Sequence, residues 1–182
     1  MGGFGEILHD SQTFKTDMKQ GYKFIFPESF WFVADEIGNA RDITNADNIK
    51  NNPRYDRGEK AKRVDILGVL GELIAIEYLI QKKQDFQFTK LLDYKPTKTA
   101  DVIVNNKRID VKTNELTEYS HLLVNEEAHK KGLGKIDLYW FVYIIDRTTA
   151  EFYFVNYDDV GTWDCKLMKY TNAYYINRGN IK

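Results

Sequence analysis

The residues of this chain best spaced to do chemistry are two acids and a lysine, in the stretch Thr99-Ala100-Asp101-Val102-Ile103-Val104-Asn105-Asn106-Lys107-Arg108-Ile109-Asp110-Val111-Lys112-Thr113. Asn tolerates positive φ, so Asn105-Asn106 between two alternating segments predicts a two-residue hairpin turn. Pairing outward from that turn sets Val104 opposite Lys107, Ile103 opposite Arg108, Val102 opposite Ile109 and Asp101 opposite Asp110, with the carboxylates' Cβ atoms about 5 Å apart. Lys112 shares the face of Asp110, whereas Val102, Val104, Ile109 and Val111 make an apolar face on the other side. Two facing carboxylates repel unless a positive charge lies between them. A divalent cation meets that need, Mg²⁺ foremost, because it takes one or two carboxylates, several waters and often a substrate phosphate. The alternative is a solvated strand face on which Asp101, Arg108, Asp110 and Lys112 neutralise one another.

The hairpin needs a neighbour to position it, and the long apolar run from Lys62 to Lys83 predicts a mostly buried helix ending in a basic cluster. Glu72 lies among Leu70, Leu73, Ile74 and Ile76, and an ionised carboxylate is rarely buried without a partner. Asp65, Gly68, Glu72, Ala75 and Leu79 recur at helical spacing, which puts a second acid two turns before Glu72 on the same side. Gly68 and Gly71 each cost up to about 1 kcal/mol of helix stability relative to Ala, and they let another backbone or a ligand approach closely. Two readings of Glu72 follow: an ion pair with a neighbouring Lys or Arg, or a ligand turned toward the hairpin acids.

The order Gly71-Glu72 on a helix, Asp101 at a strand start and Asp110-Val111-Lys112 on the partner strand resembles the PD-(D/E)xK nuclease superfamily, over roughly positions 62 to 157. The D-x-K triplet is common by itself, but its ordered combination with a helical Glu and a hairpin Asp is far more specific. Ala100 stands where the family name has Pro, and the short step from Asp101 to Asp110 demands a tight hairpin. The resemblance implies an α/β fold with a restriction endonuclease-like core, a central mixed β-sheet flanked by helices. It also implies one nuclease domain over 1–182, with an N-terminal decoration at 1–60 and the catalytic core at 62–157. Glu72, Asp101 and Asp110 would hold one or two Mg²⁺ ions, with Mn²⁺ able to substitute, and the Val111 carbonyl would complete the shell. Lys112 would orient or help deprotonate the attacking water and stabilise negative charge, with its pKa lowered beside a dication. The implied activity is metal-dependent endonucleolytic hydrolysis of DNA. A structure-selective resolvase or repair nuclease, or a catalytically silent nucleic-acid-binding module of the same fold, are the alternatives. No covalent nucleophile is evident, since Cys165 is alone and no Ser stands in a nucleophile-elbow pattern.

Composition bounds the rest. The 182 residues, 43% hydrophobic, are enough for one domain with a substantial core. A single cysteine excludes an internal disulfide and suits a reducing compartment. Met1 to Glu6 carries neither a signal region nor a myristoylation motif, and the longest apolar run, Leu138 to Ile145, is too short for a bilayer. The expectation is a cytoplasmic protein with no membrane contact, DNA as partner and a homodimer as one option. A net charge of −1 argues against a purely electrostatic nucleic-acid binder. A nuclease needs only a local basic face, for which Lys60, Lys62 and Arg63, or Lys130, Lys131 and Lys135, are candidates; a solvated surface is the plainer reading of each cluster.

Elsewhere, Gly21 to Phe26 predicts a strand, and Pro27-Glu28-Ser29 opens a helix through Phe30 to Ile37. Gly38 to Glu59 reads as a polar loop, carrying Asn39, Arg41, Asn45, Asn48, Asn51, Asn52, Arg54 and Arg57. Glu118 to Lys131 reads as a helix ended by Gly132-Leu133-Gly134, with His121 and His129 on its surface. Asp137 to Ile145 reads as a buried central strand, and Glu151 to Tyr157 as its hairpin partner. The aromatic residues of these strands are expected to pack in the core rather than stack on bases.

Overall fold

Asn105 and Asn106 both take positive φ, 47° and 62°, and close a two-residue hairpin in this computed structural model. The structure describes residues 20–51, 61–88, 100–117, 121–168 and 171–181, with the side chains of 42–51 and 61 outside the description. Its elements are β1 (Tyr22–Ile25), α1 (Phe30–Asn51), α2 (Ala61–Gln81), β2 (Phe86–Phe88), β3 (Val102–Val104) and β4 (Lys107–Glu115). They continue with β5 (His121–Asn125), α3 (Glu126–Gly132), β6 (Leu138–Ile144), β7 (Thr149–Asn156), α4 (Tyr157–Val160), β8 (Asp164–Leu167), β9 (Asn172–Asn177) and a 3-10 turn at Arg178–Asn180.

These build a mixed α/β architecture. The large sheet has the order β1-β7-β6-β4-β3-β2, antiparallel throughout except for the parallel pair β4 and β6, and a small sheet has the order β5-β9-β8. A parallel pair needs a crossover, and β5 with α3 supplies it. β6 is buried along its whole length because both faces of the sheet are covered. Its alternate residues divide the interior in two. Trp140 and Val142 pack with Val102, Val104, Ile109, Val111, Phe152 and the apolar sides of α1 and α2. Tyr139, Phe141 and Tyr143 pack on the other face with Leu122, Val124, Tyr153, Val155 and Tyr157. The aromatic strands are therefore core, as their alternation implies.

α1 does not stop at Gly38, and the polar segment through Asn51 is helical rather than a loop. Gly38 is a packing residue: a Cβ there would lie 2.8 Å from the backbone of Ile66, so its missing side chain lets α1 and α2 touch. Residues 52–60, with Asn52, Arg54, Arg57 and Lys60, lie outside the described residues. The predicted helix over 118–131 is half strand. His121–Asn125 pairs with β9, because the alternation of Leu122 and Val124 buries one face, and only then does Asn125 cap α3 by accepting from the Ala128 N–H at 2.8 Å.

A clasp joins the two parallel strands. Arg108 donates from its backbone, Nε and Nη2 to the Asp137 carboxylate at 2.8–2.9 Å, and Asp137 N–H returns a bond to the Arg108 carbonyl at 2.8 Å. The Arg108 hydrogen bond holds the Asp137 carboxyl at about 2, below the usual carboxylate range. Its folded pKa lies below its unfolded value, so the clasp's contribution is complete above about pH 4 and is lost as pH falls through about 2. Asp137→Asn is expected to cost about 1–2 kcal/mol near neutral pH, with the gap to wild type closing in denaturant melts toward pH 2.

Gly38 and Gly68, both helical, differ in kind. A Cβ on Gly68 would meet nothing within 4 Å, so no neighbouring backbone among the described residues uses the approach that Gly68 leaves open. Gly68→Ala should stabilise the protein by about 0.5–1 kcal/mol, whereas Gly38→Ala should destabilise it by about 1–3 kcal/mol, both read from urea midpoints.

Candidate active site

α2 lies directly on β4. A Cβ on Gly71 would fall 1.7 Å from Thr113 Oγ1, an overlap no side chain can relieve, so glycine is what brings this turn of the helix down to the strand. Glu72 follows Gly71, and it is 7% exposed among the apolar residues of α2. Asp101, 8% exposed, stands at the entry to β3.

The hairpin register agrees with the sequence from Val104↔Lys107 to Val102↔Ile109, and there the ladder ends. Asp101 is not a direct cross-strand neighbour of Asp110. Its N–H donates to the Ile109 carbonyl at 2.8 Å, one residue short of the extended register, and its Oδ2 accepts from Val111 N–H at 2.8 Å. The carboxylate thus takes the place of the backbone acceptor a longer β3 would have offered, a bulge-like step that re-aims the side chain.

Asp110 and Lys112 share a face as expected, and Lys112 Nζ donates to Asp110 Oδ1 at 2.6 Å. Burial alone would lower the Lys112 pKa, but the fields of Asp110 and Asp101, the Asp110 hydrogen bond and the field of Glu72 together raise it. The same fields place Glu72, Asp101, Asp110 and Lys112 in one electrostatic neighbourhood.

Glu72 has a partner that sequence reasoning left in a loop. Arg41 of α1 donates from Nη1 and Nη2 to the two Glu72 oxygens, at 3.0 and 2.8 Å, with both side chains largely buried. Burial opposes the Arg41 charge, but Glu72, Asp101 and Asp65 raise its pKa. A signal for Arg41 did exist in the sequence. Helical phase carried on from Phe30 past Gly38 places it on the side of α1 that meets α2.

His129, expected on a helix surface, is buried; its Nδ1 lies 3.0 Å from the Tyr139 hydroxyl and its ring stacks on Tyr157. The basic candidates are mostly paired with acids: Arg63 with Glu115, Lys130 with Glu126 and Lys131 with Glu127.

Among the described residues no three His, Cys, Asp or Glu side chains converge as a ready-made metal cage. The donor set still suits Mg²⁺, because Glu72, Asp101 and Asp110 offer only hard anionic oxygens and an Mg²⁺ site needs just one or two carboxylates beside its waters. Among the described residues no helix is long and apolar enough to cross a membrane. No protein-family model matches the chain, and no curated protein matches it either.

The Arg41 contact makes Glu72 an ion-pair member in the metal-free chain. Glu72→Gln should lower stability by about 3 kcal/mol, since the Arg41 charge is then stranded in a buried setting. Denaturant melts of metal-free protein measure this; a neutral or stabilising effect would show that the pair carries no structural weight.

Proposed function

We propose that this chain is a Mg²⁺-dependent DNA endonuclease of the PD-(D/E)xK type, and that its mixed sheet with α2 is a restriction endonuclease-like core. The observation that carries this reading is the Lys112–Asp110 hydrogen bond on β4, with Asp101 bonded to the intervening Val111 N–H and Glu72 on the turn of α2 that packs on Thr113. The helix acid, the strand-entry acid and the D-x-K triplet follow one another along the chain in the order of the family motif.

In this reading Asp101, Asp110 and Glu72 hold Mg²⁺, with the Val111 carbonyl completing the shell. Bound there, the ion would acidify a coordinated water and offset charge on the phosphate. Lys112 orients the attacking water and donates to the phosphate oxygens as negative charge builds on them. Hydrolysis forms one bond from the water oxygen to phosphorus and breaks one phosphodiester P–O bond; one proton of the water passes to solvent, and the leaving sugar oxygen takes one from solvent to become a free hydroxyl. The Val111 N–H keeps the Asp101 carboxylate aimed, and Tyr139 lies beneath Lys112 with its ring 5.9 Å from Nζ.

The deciding experiment incubates the protein with Mg²⁺ or EDTA and supercoiled, linear, single-stranded and branched DNA, and with RNA. Cleavage of DNA with Mg²⁺ alone is expected. Preference for branched over plasmid DNA would mark a resolvase or repair nuclease, and DNA binding without cleavage would mark a silent module.

Asp110→Asn should reduce cleavage by orders of magnitude with the fold intact by circular dichroism, since it keeps the shape and removes a hard anionic ligand. Lys112→Ala should still bind DNA in gel shifts and cleave at least about a hundredfold more slowly at saturating DNA. Normal turnover with weaker binding would make Lys112 a backbone contact instead.

A further inference from the structure

Arg41 is a cation of this neighbourhood that lies outside the motif, and it comes from a different helix. Its guanidinium takes both Glu72 oxygens, so the carboxylate that would serve a metal is already neutralised by a planar, two-pronged donor. A dication entering beside Glu72 would meet that fixed positive charge at short range, in a setting where solvent screens little, and the two cations compete for one anion. Once displaced, the guanidinium cannot shed its proton, and it remains on α1 beside Asp101 and Asp65. Its fork matches phosphate as well as carboxylate, and in a phosphodiester hydrolase the next anion to arrive is the substrate's phosphate.

We propose that Arg41 is a fifth member of the site: it holds Glu72 in the metal-free chain, yields the carboxylate to the divalent cation, and then binds a non-bridging oxygen of the substrate phosphate. This rests on the nuclease reading for its second half, while the competition between Arg41 and metal stands apart from it. The exchange keeps Glu72 paired at every stage, so the buried acid is never left alone.

The test uses Arg41→Gln, which removes the charge and keeps only a shorter neutral hydrogen-bond donor, with Arg41→Lys as the second variant. Mn²⁺ titrated calorimetrically into the full chain without DNA should bind Arg41→Gln about tenfold more tightly than wild type, because the competing cation is gone. With Mn²⁺ saturating, kcat/KM for DNA should fall at least about tenfold in Arg41→Gln and by a smaller factor in Arg41→Lys, which keeps the charge and loses the fork. A residue of purely structural importance would weaken both functions together, so opposite shifts identify the exchange. Side-chain N–H spectra of the wild-type protein read the same event without a variant: the Arg41 signal should move as Mg²⁺ saturates. Mn²⁺ affinity unchanged or weakened in Arg41→Gln, or an Arg41 signal indifferent to Mg²⁺, overturns the competition. An unchanged kcat/KM overturns the phosphate contact. Tighter Mn²⁺ binding in a protein whose wild type cleaves no nucleic acid overturns the nuclease reading and leaves the competition standing.

Discussion

The site depends on one close approach, that of α2 to β4 at Gly71. Only a residue without Cβ can sit over Thr113, and the overlap that any other side chain would create falls on the turn that carries Glu72. Lifting the helix by the width of one methyl would withdraw Glu72 from Asp101 and Lys112 and open a gap in the core that Leu70, Ile74, Ile109 and Val111 fill. The contact has a cost, because Thr113 Oγ1 is buried there without a hydrogen-bond partner.

Charge is the second constraint. Glu72 and Asp101 are buried, Asp110 is half-buried, and each is answered by a different donor: a guanidinium from α1, a backbone N–H of β4 and the Lys112 ammonium. With these three separate partners no one of the carboxylates is left stranded. They also tie the site to the scaffold. The Asp101 carboxylate ends the β3 ladder, and Arg41 pins α1 to α2 near the level where Gly38 lets the two helices meet.

How much of this was legible in the sequence varies by residue for physical reasons. The hairpin was, because Asn105-Asn106 sets the turn and the period of two then fixes every pairing out to Val102↔Ile109. α2 and the buried β6 were legible from their continuous apolar runs. Asp101 was misplaced by one step, since alternation extrapolates a ladder but cannot foresee a side chain that bonds the opposite backbone. α1 was cut short at Gly38 because a glycine in sequence looks the same whether it ends a helix or lets a second helix touch it. Arg41 was lost with it: helical phase carried past Gly38 puts it on the inner side of α1, but which acid it meets is decided by the packing of α1 on α2. His129 was misjudged for a similar reason, as α3 is too short to show a face of its own and its inward side is set by β9 and α4.

The second apolar cluster gives the site a rigid floor. Tyr139 pairs with Asp110 in the parallel ladder, its ring lies below the Lys112 ammonium, and its hydroxyl reaches His129, which stacks on Tyr157. Burial pushes the Tyr139 hydroxyl pKa up, with Asp110 adding to it, and burial pushes the His129 imidazole down, so both stay neutral around pH 7. A neutral aromatic bed is what a lysine held between acids requires from below. A cation there would compete with Lys112 for Asp110, and an anion would draw the ammonium off the carboxylate, whereas a ring face attracts it without forming a competing ion pair. The ordering of Lys112 thus comes from the acids around it and the aromatic core beneath it, which is why the chemistry-bearing strand had to lie beside β6, buried on both faces, and not at the edge of the sheet.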